Sequence, residues 1–242
     1  MEVGCSDGDP LPIHVEAGTT YYFQVGSWGW GYGRFTFQLY ETPPPTADFG
    51  WSPGDPSIFE QVEFCDWSYD PVEVWFSDYW WDFGDGTSTT GNCVWHQFAA
   101  DGDYSVWHKV QTYDGRTAEV TRTVAVRTHD VAVTKVTAPK AASAGQTRQI
   151  SVFIRNHRYP ETVVVELYKS TPGGFEQIGT LRQFVPVRQG NRTTRFNFTY
   201  TFTGDDAQIG KVTFRATAYI ENVRDALPAD NEAISSPPTK VQ

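Results

Sequence analysis

The chain of 242 residues has one Met, three Cys and no Trp beyond position 107. Charged residues are also scarce, at 20% against an average of about 25%. No run reaches the roughly 18 consecutive apolar residues of a membrane-spanning helix, which excludes insertion of that kind. Positive charge is short, with 19 Lys+Arg against 29 Asp+Glu and a formal net charge of −10. A chain without a basic footprint is a poor partner for a phosphate backbone, so nucleic acid is excluded. The signatures of catalysis are missing as well. There is no Gly-x-Ser-x-Gly elbow, no His-Glu-x-x-His, no phosphate-cradling glycine loop and no Cys/His nucleophile pair. His14, His96, His108, His129 and His157 are scattered along the chain. The expectation is a protein that is not an enzyme.

What is present is aromatic and unevenly distributed. Phe, Trp and Tyr make up 15% of the chain, and all nine Trp lie between Trp28 and Trp107. So many aromatic side chains need a folded interior, which argues against disorder. Residues 1–45 hold five acids and one base, 46–128 fourteen and four, and 129–242 ten and fourteen. Two physically different modules therefore follow a short leader. The charge contrast reads either as independent solvated surfaces or as attraction between an acidic middle and a basic end.

Period-two alternation recurs and no stretch carries a helical period. Ile150, Val152 and Ile154 alternate with Ser151 and Phe153, and Phe196, Phe198, Tyr200 and Phe202 with Arg195, Asn197, Thr199 and Thr201. Val212, Phe214, Ala216, Ala218 and Ile220 repeat the pattern. Each reads as a strand with one face in a core and one in water. Turn signals separate them at 156–160, 172–174, 189–191 and 203–206. The spacing implies antiparallel sandwiches. Thr42-Pro43-Pro44-Pro45-Thr46 is a stiff linker, and a second, short junction lies near Arg127-Thr128-His129-Asp130.

Abundant Thr, Tyr and Trp, few Lys and many short strands point to an extracellular setting. The first residues, Met1-Glu2-Val3-Gly4-Cys5, have neither the basic nor the apolar region of a signal peptide. The expectation is a fragment or processed piece of a longer secreted protein. Cys65 and Cys93 lie 28 positions apart on segments read as neighbouring strands. A bridge closing such a loop contributes roughly 3 kcal/mol in the chain-entropy model. The alternative, a metal held by Cys65, Cys93 and His96, lacks a fourth ligand. Cys5 is left over, either separated from an upstream partner or free to bridge chains.

Residues 47–127 resemble a PKD (polycystic kidney disease) domain. The resemblance rests on Ala47-Asp48-Phe49, Val62-Glu63-Phe64, Trp81-Asp82-Phe83-Gly84-Asp85-Gly86, His96-Gln97-Phe98, Asp101-Gly102-Asp103-Tyr104 and Thr123-Val124-Ala125-Val126. Within the hexad, Trp81 and Phe83 point into the core. Gly84 and Gly86 free the backbone of a tight turn, and Asp82 and Asp85 belong to that turn. Residues 130–242 resemble the CARDB group of bacterial extracellular β-sandwiches, through Asp130-Val131-Ala132-Val133, Gly145-Gln146-Thr147 and Asp230-Asn231-Glu232. Residues 11–40 resemble the last hairpin of a pre-peptidase C-terminal domain. The expected fold is all-β: two tandem immunoglobulin-like antiparallel sandwiches, 47–128 and 129–242, after a 43–46 linker and an N-terminal hairpin within 1–42.

Two aromatic clusters are candidate contact sites, because flat aromatic faces suit sugar rings and protein partners alike. One is Trp28, Trp30 and Tyr32 between glycines, and the other contains Trp75 and Trp80. The opposing reading packs the leader onto the second cluster and hides both. No cofactor is expected, with calcium an open alternative. Asp7, Asp9, Asp48, Asp66, Asp70, Asp82, Asp85, Asp101 and Asp103 supply the hard oxygens it takes, but without EF-hand spacing. The leading functional expectation is a non-catalytic extracellular spacer and adhesion module of a bacterial secreted or surface protein. Its partner would be a protein or polysaccharide surface. One alternative is a structural subunit whose hairpin completes a neighbouring copy's sheet, building filaments head to tail. Another is a carbohydrate-binding accessory module.

Overall fold

The computed structural model describes residues 11, 13, 15–26, 36–39 and 41–242. Two compact units emerge from the contacts between them: Met1–Gly54, Gln61–His96 and Gly102–Ala125 form one, and Asp55–Glu60, Gln97–Asp101 and Val126–Gln242 the other. The structure is nearly all-β, with several antiparallel sheets.

The first unit is a sandwich of two sheets. Its strands are β1 (Phe49–Ser52), β2 (Val62–Asp66), β3 (Phe76–Asp82), β4 (Ser88–Thr90), β5 (Cys93–His96), β6 (Gly102–Thr112) and β7 (Thr117–Val126). One sheet has the order β1-β2-β5 and the other β4-β3-β6-β7. Alternation along each strand sends one set of side chains inward. Phe49 and Phe64 from the first sheet meet Trp81 of the second, with ring centroids 5.3 and 6.0 Å apart. Phe83, Val106, Val110 and Val124 complete the core. The wholly buried His108 stacks on Trp81 at 3.8 Å, with Nε2 2.9 Å from Asp66 and Nδ1 3.1 Å from the Trp80 carbonyl. An imidazole takes this position because both of its nitrogens find partners there.

The second unit is also a β-sandwich. Its strands are β8 (Val131–Thr137), β9 (Ala141–Ala142), β10 (Thr147–Asn156), β11 (Glu161–Thr171), β12 (Gly174–Val185) and β13 (Thr194–Thr201), then β14 (Lys211–Val212), β15 (Phe214–Ile220), β16 (Glu232–Ile234) and β17 (Thr239–Val241). Sheet β13-β10-β8 faces sheet β12-β11-β15-β16 across a shared core, and a small sheet β14-β17-β9 adds the one parallel pairing among the described strands. The buried positions Ile150, Val152, Ile154, Phe196, Phe198, Phe214, Ala216, Ala218 and Ile220 are the apolar half of the alternation in the sequence.

One turn differs from the sequence reading: 203–206 is the start of helix α1 (Gly204–Ile209). Thr203 accepts from the Asp206 amide while the Asp206 carboxylate accepts from the Thr203 amide, a reciprocal cap. Six residues are too few to show a helical period. The turn and parts of both arms of the expected N-terminal hairpin lie outside the described residues, and the described 15–26 and 36–39 carry no strand. The long segment of the second unit begins at Val126. Residues 55–60 and 97–101 belong with the second unit, where Arg224 binds Asp55 and Glu60, Arg127 N–H donates to Pro56 and Asp101 holds Thr128 and Tyr159.

Candidate functional site: the outer sheet face of the first unit

Directly paired residues in an antiparallel sheet share a face. Trp80 on β3 pairs with Lys109 on β6 and Thr90 on β4, and Asp82 pairs with Trp107 and Ser88. Because Trp81 and His108 point inward, their neighbours Trp80, Asp82, Trp107 and Lys109 point out. The result is a groove of about 400 Å³ lined by two half-buried indoles with Asp82, Ser88, Thr90 and Lys109 around them. The Lys109 ammonium sits 5.7 Å from the Trp80 ring centroid, a cation–π contact that holds the indole on the sheet.

The hexad turn closes one end of the same sheet. Gly84 N–H donates to Asp82 Oδ1 at 2.8 Å, and Thr87 N–H to Asp85 Oδ1 at 3.0 Å. Gly84 and Gly86 have φ of 74° and 89°, and a Cβ on Gly84 would lie 2.7 Å from the Ser105 carbonyl oxygen. Both positions therefore need glycine. Asp85 also meets His96 at 2.8 Å, and that imidazole stacks on Phe83 at 4.0 Å. Desolvation pushes the Asp85 carboxyl up, but bonds from Thr87 and His96 outweigh it and hold the carboxyl below its ordinary range.

On the other sheet, Cys65 and Cys93 are directly paired residues of β2 and β5 and form a disulfide. Gly50 stands opposite Cys65, and the Trp67 ring covers it so closely that a Cβ there would meet the indole at 2.1 Å. Trp67 is 63% exposed and Trp95, opposite Glu63, is 59% exposed. Two outer faces of this unit thus carry indoles.

Of the aromatic residues singled out in the sequence, Trp80 lines the groove, and Trp75 is 82% exposed in the segment before β3. The structure does not bring Trp75 into the groove lining. Trp28, Trp30 and Tyr32 lie outside the described residues, as do Cys5, Asp7 and Asp9. Trp107 and Lys109 escaped the sequence reading, although Val106, His108 and Val110 alternate with them and mark them as outward. Most of the acids considered for calcium serve internal partners. Asp48 binds Arg122, Asp66 binds Ser68 and His108, Asp70 binds Arg116, and Asp101 binds Thr128 and Tyr159. Among the described residues, no group of three or more His, Cys, Asp or Glu converges as a metal-ligand set.

Electrostatics in the second unit divide into a satisfied cluster and an unsatisfied one. Desolvation pushes the buried Asp206 carboxyl up. The Thr203 amide, the Tyr200 hydroxyl at 2.6 Å and Lys169 at 3.3 Å outweigh that and hold it below the usual range. Asp130 is pushed the other way by burial and then by the charges of Asp230 and Asp225, with Arg155 and Arg158 opposing. Asp230 is likewise raised by burial and by Asp225.

Residues 44–128 match the PKD domain family. No curated protein matches the chain. Among solved structures, the PKD1 domain of Vibrio anguillarum Epp is 26% identical, covering 36% of this chain and 98% of that one, with a TM-score of 0.33. The PKD1 domain from the Vibrio cholerae metalloprotease PrtV is also 26% identical, over 36% of this chain and all of that one, with a TM-score of 0.32. A structure described as carbohydrate-binding modules from the β-sandwich superfamily is 18% identical, over 80% of this chain and 96% of that one, with a TM-score of 0.35.

Proposed function

We propose that the chain is a non-catalytic extracellular interaction module of a secreted or surface protein, and that the outer face of β4-β3-β6-β7 is its binding surface. The observation that carries this reading is the Trp80/Trp107 groove. Two indole faces, on diagonal positions of neighbouring strands, stand among Asp82, Ser88, Thr90 and Lys109. Aromatic faces stack on the apolar faces of sugar rings, and the polar side chains meet the hydroxyls at their rims. A polysaccharide chain fits that mixture, and a protein surface is the competing occupant. The hexad turn joins β3 to β4 in the sheet that presents the groove, and the disulfide staples β2 to β5 in the sheet behind it.

The residues assigned to the turn, Asp82, Gly84, Asp85 and Gly86, act in this reading as structural supports, with Asp82 also facing the ligand. Residues 129–242 are proposed as a CARDB-like sandwich that extends the module. Co-sedimentation with insoluble polysaccharides tests the reading. Wild-type chain is expected in the pellet, and Trp80→Ala and Trp107→Ala each to leave it in solution while Trp75→Ala does not. Equal retention of all four proteins would show that the groove is not the binding surface.

A further inference from the structure

The two outer sheet faces of the second unit treat their cations differently. On sheet β12-β11-β15-β16, Arg182 meets Glu221 and Arg215 lies 3.8 Å from Glu232. On sheet β13-β10-β8, Arg195 and Lys135 flank Phe153, each directly paired with it, and both side chains are exposed. Neither has a carboxylate partner among the described residues. A bulge builds this row. Ile154 pairs with Val133 but Phe153 with Lys135, so Thr134 is the extra residue, and its hydroxyl donates to the Phe153 carbonyl at 3.0 Å. Without it Lys135 would stand opposite the buried Val152 and fall on the core side. Arg195 is held from the other side, its guanidinium carbon 5.1 Å from the Phe153 ring centroid.

The rows beyond are neutral and polar. Asn197 stands with Ser151 and Thr137, and Thr199 with Gln149. Ser151 donates to Asn197 at 2.9 Å, and at the far end the hydroxyls of Thr147 and Thr201 meet at 2.8 Å. No carboxylate interrupts the face between Thr147 and Phe153. An acid comes near only at its border, where Arg155 lies 3.7 Å from Asp230.

Such a face suits an anionic occupant, and its size selects the kind. Strands of 8 residues at about 3.4 Å each, three abreast at about 4.8 Å, give at most about 400 Å². A stable protein interface buries about 800 Å² on each partner. A second copy, with fourteen acids against four bases in residues 46–128, has the complementary charge but would find half the area it needs. An extended chain one unit wide needs no more than this strip. Lys135 and Arg195 are also separate charges, about 10 Å apart across β10, and not the basic run of about five to eight residues that nucleic acid or a heavily sulfated chain recruits. A guanidinium fork and an ammonium match spaced carboxylates, and the Ser, Thr and Asn side chains match hydroxyls.

We propose that the outer face of β13-β10-β8 binds a polysaccharide of uronic acids, with Arg195 and Lys135 each taking a carboxylate and the neutral rows taking the sugar hydroxyls. The site lies within the second unit and does not depend on the Trp80/Trp107 groove.

The test is calorimetric titration of the full chain with an oligogalacturonate, with the same oligomer after reduction of its carboxyl groups to alcohols, and with dextran sulfate. The uronate is expected to bind saturably, and the reduced oligomer at least about tenfold more weakly, through loss of the charge-assisted bonds. Arg195→Gln and Lys135→Gln should each weaken uronate binding at least about fivefold, with a smaller difference at high salt. Both side chains are exposed, so the variants' thermal unfolding curves should overlay that of wild type. Trp80→Ala should bind the uronate as wild type does; loss of binding there would place the ligand in the groove and overturn the proposal. No saturable uronate binding, equal affinity for the reduced oligomer, tighter binding of dextran sulfate, or unchanged affinity in the Arg195→Gln/Lys135→Gln double variant would each overturn it too. Light scattering covers the remaining occupant. A mass that climbs with concentration in wild type but not in the double variant would give the face to a second copy instead.

Discussion

The two units solve the same packing problem with different residues. The first fills its core with large rings: Phe49, Phe64, Trp81, Phe83 and the stacked His108. It adds a disulfide between paired strands of its smaller sheet. The second relies on Val131, Val133, Ile150, Val152, Ile154, Val163, Val165 and Leu167, with Phe at 196, 198, 202 and 214, and has no Trp. Its strands run to 10, 11 and 12 residues in β10, β11 and β12. A smaller sandwich buries a smaller fraction of its surface, so each buried side chain must contribute more. Rings and a covalent staple supply that difference.

The contrast gives each unit its own signal. Every Trp lies in the first unit, so tryptophan fluorescence follows that unit alone while far-UV circular dichroism follows both. The largest effect is expected from Trp81→Ala. It removes the ring where both sheets meet and the indole N–H that donates to the Gly91 carbonyl at 2.8 Å. The cost should be about 3–5 kcal/mol, typical of a fully buried Trp. Denaturant curves should show the fluorescence transition moving and the remaining dichroism transition staying. A joint shift would show that the units unfold as one.

Removing the disulfide with Cys65→Ser and Cys93→Ser comes next, at about 3 kcal/mol for a closed loop of this length. It should again move only the fluorescence transition. Asp206→Asn is the corresponding probe of the second unit, and about 1–3 kcal/mol is expected for loss of a buried charged acceptor. Its pH dependence follows from the sign of the shift. The folded carboxyl lies below its unfolded value, so its contribution is full above the unfolded pKa and is lost as the pH falls through the folded one. Acid titration of the dichroism transition should steepen below about pH 4 in wild type and flatten in the variant. Arg224→Ala, which breaks half-exposed contacts to Asp55 and Glu60, should cost no more than about 1 kcal/mol.

Much of the architecture was legible in the sequence because it depends on local alternation. The inward faces of β10, β13 and β15 and the hexad turn follow from residues near one another or from period two, whereas the pairing of Cys65 with Cys93 was read from spacing and an extracellular setting. The short helix at 204–209 carried a readable sign, Thr203 three residues before Asp206, that the absence of a helical period obscured. The groove was half legible. Trp80 stood out as part of an aromatic run. Its association with Trp107 depends on the register of β3 against β6, and a bulge between Phe76 and Asp78 shifts that register. The contact of the 225–231 turn with the start of β8, through Ala226 N–H to His129 and Val131 N–H to Asp225, was less accessible still, since it joins residues about a hundred positions apart.

The central claim is that Trp80 and Trp107 bind together as one surface. Two-dimensional ¹H–¹⁵N NMR of the indole N–H signals tests it most directly, with assigned resonances and a soluble oligosaccharide drawn from the polysaccharide that retains the chain. The Trp80 and Trp107 signals should shift together and saturate with one affinity. The Trp81 signal, buried and bonded to Gly91, should shift least. Saturable shifts confined to Trp67 and Trp95, or to Trp28 and Trp30, with Trp80 and Trp107 unmoved, would contradict the claim and move the binding surface elsewhere.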